Sequence, residues 1–306
     1  MSSNRKFDVE KEIAQQSGRT FFITGGTAGL GAQHVRELAK KNAAHIYFSG
    51  RNAKRASEIT ESISKESPNT KLTFVQCDLA DLASIKDAIP KANIQHLDVL
   101  VCNAGIMCAP AALTKDGYEI QFGTNHIGHA LIIKFLLPCL LQTADQPNSD
   151  IRIVTLTSTG FKLRPSAGIE FDNLRTLQKR ISGSWIRYGQ SKLANILYAD
   201  EIARRYPQIL SVAIHPGVVK TNLVNDLPLA HRAFVHVMTY FVQLELHEGV
   251  YNQLWASAAD KGKMTSGEMY VPFGVSSKEK VGDKLANDKE LAKKLWDWTE
   301  KELEVY

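Results

Sequence analysis

The sequence predicts an α/β fold, a doubly wound sandwich built on a mainly parallel sheet of about seven strands. Two observations carry this expectation. Short runs of β-branched and aromatic residues alternate with longer stretches of helical periodicity along the 306-residue chain. The runs are apolar at successive positions, which suits strands buried on both faces rather than strands with one wet face. No internal repeat, low-complexity tract or linker interrupts the alternation, so residues 1–306 read as one domain.

Taken in order, TFFIT (20–24), HIYFS (45–49), LTFVQC (72–77), DVLVC (98–102), RIVTLT (152–157) and LSVAI (210–214) are the six main strands, and a seventh includes Met269–Val271. Helical segments lie between them at about 29–41, 53–66, 81–92, 117–142 and 188–206. A polar, amphipathic helix from about 284 to 303 closes the chain.

Composition narrows the function. With 44% hydrophobic and 23% charged residues the chain can bury a sizeable core. The net charge of +5 comes from scattered Lys and Arg with no basic run, so nucleic acid is not an expected partner. Cys77, Cys102, Cys108 and Cys139 form no CxxC pair and no zinc spacing, which points to reduced thiols in a cytoplasmic setting, with Cys77 and Cys102 as small core residues. The N-terminal stretch lacks an apolar signal core. The longest apolar stretch, 127–141, is broken by Gly128, His129, Lys134 and Pro138, so no transmembrane segment is expected.

The first strand runs into Thr24-Gly25-Gly26-Thr27-Ala28-Gly29-Leu30-Gly31 and then a helix. Glycines there permit a tight turn and let backbone N–H groups approach a pyrophosphate at the helix N-terminus. The spacing is G-x-x-x-G-x-G, and an ordinary strand-to-helix turn is the bland alternative. Gly25, Thr27, Gly29, Leu30 and Gly31 are therefore candidate cofactor contacts. The second strand ends in Gly50-Arg51-Asn52, where an NAD-preferring site commonly carries an acid for the ribose 2′-hydroxyl. Arg51, with Asn52 beside it and Lys54 and Arg55 one turn on, instead suits a 2′-phosphate, so NADP(H) is expected over NAD(H); a solvated loop arginine is the alternative. Asp78-Leu79 end the third strand, and Asp78 can accept a bond from an adenine amino group or cap the next helix. Asn103-Ala104-Gly105 end the fourth, where small residues let a cofactor lie against the backbone.

Tyr188-Gly189-Gln190-Ser191-Lys192 opens a helical segment, and its Tyr and Lys share one face. A phenol with a pKa of about 10 is a poor acid–base group at neutral pH, and a neighbouring ammonium favours its phenolate. A lone Tyr-x-x-x-Lys pair usually means a helix surface. Here it follows the glycine-rich turn and Asn103-Ala104-Gly105, and in that order and sheet context residues 18–275 resemble the short-chain dehydrogenase/reductase family, with its Rossmann-type fold.

The resemblance implies that Ser158, with Thr157 as the competing hydroxyl, joins Tyr188, Lys192 and Asn125 as the catalytic set. It implies that Pro216, Gly217 and Thr221 contact the nicotinamide carboxamide. It implies hydride transfer between NADP(H) and a small-molecule carbonyl or alcohol, with Tyr188 exchanging the proton, and a homodimer through the helices near 117–142 and 188–206. The Asn125–His129 stretch and the long interval between Ser158 and Tyr188 look like the retinol-dehydrogenase and WW-domain-oxidoreductase branch, although no WW module or N-terminal anchor is visible.

A segment near 222–247, greasy and aromatic from Leu227 to Val242, falls where this family places its substrate lid. It suggests a lipophilic, fairly bulky substrate, with core or subunit packing as the alternative. His126 and His129 could in principle bind a metal but lack a third ligand, so packing or surface roles are expected. Glu37 and Lys41 read as an i,i+4 surface pair. A different class of function, an NADP(H)-binding redox sensor without turnover, is the rival reading.

Overall fold

The computed structural model describes residues 7–179, 183–219 and 243–306. Eight strands form one sheet: β1 (Thr20–Ile23), β2 (His45–Gly50), β3 (Lys71–Gln76), β4 (Val99–Cys102), β5 (Arg152–Leu156), β6 (Leu210–Ile214), β7 (Met269–Val271) and β8 (Val275–Ser276). Their spatial order is β3-β2-β1-β4-β5-β6-β7-β8, and every neighbouring pair is parallel except β7–β8. The chain therefore moves outward in one direction from β1 to β3 and in the other from β4 onward. The reversal leaves a crevice beyond the C-terminal ends of β1 and β4, where open α/β sheets hold ligands.

Among the described residues, seven helices of two turns or more accompany the sheet: α1 (Gly29–Lys40), α2 (Ala53–Glu66), α3 (Leu82–Lys91), α4 (Ile120–Ala144), α5 (Gly183–Arg205), α6 (Tyr251–Ala258) and α7 (Lys289–Glu302). Alternation along the strands divides the core between two faces. Phe21, Ile23, Val99, Val101 and Val154 pack with Val35 and Leu38 of α1, Ile63 of α2 and Trp255 of α6. Phe22, Leu100 and Ile153 point to the opposite face, against Ile85 of α3, Leu131 of α4, Leu197 of α5 and Leu295 of α7.

The expected sheet is thus present, with one antiparallel edge strand more than anticipated. β8 has only two residues and follows a turn at Gly274 with φ +65°, too little chain to give a periodic signal. Helix α4 starts at Ile120 because the Glu119 carboxylate accepts from the N–H groups of Gln121 and Phe122. It contains a π-turn at Gly123–Ile127. By length and apolar composition this 25-residue helix resembles a membrane span, with mean hydropathy 1.6, yet Leu131, Ile132, Leu136 and Leu140 lie in the core. Its polar interruptions are accommodated there: Lys134 donates to the Leu303 carbonyl at 2.7 Å.

One surface expectation changes. Glu37 and Lys41 do not pair: Glu37 binds Lys40 at 3.0 Å, whereas Lys41 is buried and reaches Glu10 at 2.8 Å. α7 lies across α5 and α4, with Trp296 stacked on Tyr198 at 4.8 Å and Trp298 edge-on to Phe122.

Candidate active site

The switch-point crevice is a cleft of about 1080 Å³. Its walls include Gly25, Thr27, Gly29, Leu30, Gly31, Arg51, Asn52, Asp78, Leu79, Asn103, Ala104, Gly105, Tyr188, Lys192 and Pro216, so most of the residues singled out in the sequence meet in one place. Gly217 follows at φ +90° just outside that lining. Thr221 and residues 222–242 of the expected lid lie outside the described residues. The last part of that segment forms Gln243–Leu244, paired in parallel with Val218–Val219, and the start of a one-turn helix.

The glycine-rich turn is built for close approach. Gly25 has φ +69°, a region costly for side chains, and a Cβ on Gly31 would lie 2.3 Å from the Gly25 carbonyl oxygen. Helix α1 begins without a side-chain cap, whereas α2, α3 and α7 are capped by Asn52, Asp81 and Asp288. Its first N–H groups thus face the cleft with their partial positive charge uncompensated by a side chain. The Thr124 hydroxyl, in the π-turn, is buried in the cleft wall with no partner. A backbone cradle of this kind fits a dinucleotide with its pyrophosphate at the start of α1.

Hydrogen bonds at the β2 and β3 ends fix two side chains. Asn52 accepts from the Arg55 N–H at 3.0 Å, so its side chain serves as a helix cap. Asp78 does not cap α3; Asp81 does, accepting from Ser84 N–H at 3.2 Å. Asp78 instead accepts from its neighbour Ala80 N–H at 3.0 Å and leaves its other oxygen 4.0 Å from the Arg51 guanidinium. Arg51 is 73% exposed and Arg55 joins it in the lining.

At the other end of the cleft, the strand-end hydroxyls separate. Thr157 donates to the Lys192 carbonyl at 2.8 Å, which commits its proton to the backbone. The Ser158 hydroxyl accepts from Gly160 N–H at 3.0 Å and hydrogen-bonds the Tyr188 phenol. Tyr188 is in the second turn of α5, which starts at Gly183, five residues before the expected start. Burial pushes its phenol up to about 12, opposed by the Ser158 hydrogen bond. The same burial pulls Lys192 down to about 8, where its ammonium donates to the Leu156 carbonyl at 3.2 Å.

Asn125 is the hub of the π-turn. Its side chain accepts from Ile106 N–H at 2.8 Å and donates to the Ile106 carbonyl at 2.9 Å and to the Ser191 hydroxyl at 3.0 Å. The segment after β4, the π-turn and the Tyr-Lys helix are thereby tied at one point.

The fold agrees with what comparison shows. The chain is 36% identical to the short-chain dehydrogenase/reductase drtF of Aspergillus calidoustus over 94% of both proteins. The chain belongs to the short-chain dehydrogenase/reductase family. The short chain dehydrogenase family pattern matches residues 19–167. Among solved structures, a protein of Mycobacterium paratuberculosis is similar over 96% of both chains at 28% identity, with a TM-score of 0.72. An NADPH-bound carbonyl reductase from chicken fatty liver is similar over 85% of this chain and 98% of its own, at 25% identity and a TM-score of 0.60. Family membership makes the protein an oxidoreductase that binds a nicotinamide cofactor.

Some residues that shape this family site were not singled out in the sequence. The buried ion pair of Arg187 Nε with Glu119, at 2.9 Å, lies immediately before Tyr188 and carries no local signal. Thr24 does have one, since it stands between the end of β1 and Gly25. Neither His126 nor His129 is a surface group. Both are buried, and among the described residues no three potential metal ligands gather.

Proposed function

We propose that this oxidoreductase is an NADPH-dependent carbonyl reductase, or the corresponding alcohol dehydrogenase, acting on a lipophilic and fairly bulky ketone or aldehyde. The observation that carries the reading is the convergence of Ser158, Tyr188 and Lys192 at the sheet end of the cofactor cleft. In this reading Ser158 and Tyr188 hydrogen-bond the carbonyl oxygen and polarise it. Bound nicotinamide supplies the hydride to the carbonyl carbon. Tyr188 gives its proton to the oxygen, and Lys192, held on the helix that Asn125 anchors, helps return one to the phenol. A phenol that burial holds at about 12 is protonated at neutral pH, the state a reductase requires.

The NADP(H) preference rests on Arg51 and Arg55 at the end of β2, with no acid at that position to take a ribose hydroxyl. The lipophilic substrate rests on Met107 and Trp185, packed about Cys108 close to Tyr188, and on the sequence of residues 222–242. A cytoplasmic location, suggested by four free thiols, is tested by cell fractionation. The central test is NADPH oxidation against a panel of aldehydes and bulky ketones, run beside Tyr188→Phe. Turnover that the substitution lowers by about 10²-fold or more, with NADPH affinity retained, supports the reductase. Tight NADPH binding without turnover on any panel member would favour a sensor instead.

A further inference from the structure

His129 belongs to neither the cradle nor the Ser-Tyr-Lys set, yet it bonds to Thr24 beside the one and to Asn125 beside the other. Its ring is buried between the end of β1 and the π-turn. On one side Nδ1 is 2.9 Å from the Asn125 carbonyl oxygen. A carbonyl can only accept, so Nδ1 carries the proton and Nε2 must be an acceptor. On the other side Nε2 is 2.8 Å from the Thr24 hydroxyl, which therefore donates to it. The alternative acceptor for that hydroxyl, the Val101 carbonyl, is farther away at 3.4 Å. With its proton committed to His129, the Thr24 oxygen presents its lone pairs to the N–H groups of Asn103 and Ala104, each at 2.9 Å. Burial pulls the imidazole down to about 4, so this polarity holds throughout the neutral range.

We infer that His129 is a positioning residue that couples the two ends of the site. Through Thr24 it orients the Asn103–Gly105 backbone in the cofactor cradle. Through the Asn125 carbonyl it holds the π-turn whose side chain clamps Ile106 and Ser191 beside Tyr188 and Lys192. The inference rests on the reductase reading for its functional consequence but not for its structural one.

Two half-replacements separate the arms. In His129→Asn the amide nitrogen falls near the Nδ1 position, keeping the donor to Asn125 and losing the acceptor for Thr24. In His129→Gln the amide falls near Nε2, keeping the acceptor and losing the donor. The first readout is amide hydrogen exchange of Asn103 and Ala104 in the cofactor-free protein. It should speed up by about three- to tenfold in His129→Asn, the factor one net hydrogen bond represents, and much less in His129→Gln. The second is the split between NADPH Kd, which should rise mainly in His129→Asn, and kcat with its pH profile, which should change mainly in His129→Gln.

Thr24→Val should reproduce the exchange effect of His129→Asn, and the two together should do little more than either alone, whereas Thr24→Ser should restore protection. Equal effects of the two His129 substitutions on exchange, or additivity with Thr24→Val, would overturn the inference. Should the exchange pattern hold while no carbonyl is turned over, the tie stands and the reductase reading falls.

Discussion

The Glu119–Arg187 pair offers the sharpest test of how the substrate side of the cleft is held. Both side chains are buried, at 0% and 4% exposure. Arg187 donates from Nε to Glu119, from one terminal nitrogen to the Ala109 carbonyl at 2.9 Å and from the other to the Gln178 carbonyl at 3.3 Å. Glu119 in turn caps α4. Replacing Arg187 with Met leaves a carboxylate in the core with only two backbone N–H groups as partners. Removing one member of such a pair costs about 3–5 kcal/mol, which in a chain of this size lowers Tm by about 6–10 °C. Burial already raises the Glu119 pKa, and Arg187 opposes that rise. The substitution therefore raises it further.

A carboxyl group whose folded pKa is raised loses stability as pH climbs through that pKa, because the folded state must then ionise it. The deficit of Arg187→Met relative to the native protein should thus be largest at neutral and alkaline pH and shrink as pH falls toward the ordinary carboxylate range. Glu119→Gln combined with Arg187→Met should cost less than the sum of the two. Denaturant unfolding of the four proteins at several pH values measures all of this. A deficit that stays constant or grows on acidification would refute the buried-carboxylate argument.

Two further predictions concern the cofactor end and the buried lysine. Arg51→Glu should weaken NADPH binding much more than NADH binding, measured by fluorescence titration; equal losses would remove the case for a 2′-phosphate contact. Lys192, pulled down to about 8 by burial, binds fewer protons folded than unfolded above that pH, so its contribution makes the cofactor-free protein more stable as pH rises from 8 toward 10.5. Lys192→Met lacks this term, and its stability advantage over the native protein at pH 7 should shrink by roughly 3 kcal/mol by pH 10. An advantage unchanged over that range would mean that the ammonium is not desolvated.

How much of this was legible in the sequence follows from what each feature needs. Parallel strands buried on both faces must be continuously apolar, so TFFIT, DVLVC and RIVTLT announce themselves, and their order gives the switch point. The glycine-rich turn and Tyr188-x-x-x-Lys192 are local patterns and were found at the positions expected. What stayed hidden depends on partners distant in sequence. Nothing local distinguishes Thr157 from Ser158 until the Lys192 carbonyl is seen to hold the former. Asp78 reads as a possible cap, and only the helix start at Leu82 shows that Asp81 holds that place. A π-turn inserts one residue into a turn of otherwise ordinary helical periodicity, so 117–142 read as a plain helix. Lys41 reads as a surface residue from its i,i+4 spacing to Glu37, whereas its partner Glu10 lies in a different segment altogether.

Tyr188 and Lys192 show how one physical effect can set a site's working state. Desolvation disfavours charge on each, raising the phenol to about 12 and lowering the ammonium to about 8. At neutral pH the phenol therefore keeps its proton and the lysine its charge, so in the proposed reduction a proton that leaves Tyr188 for a substrate oxygen is replaced downhill from the ammonium on the same helix face. In the proposed reductase, Ser158 donates the opposing hydrogen bond while Tyr188 protonates the developing alkoxide.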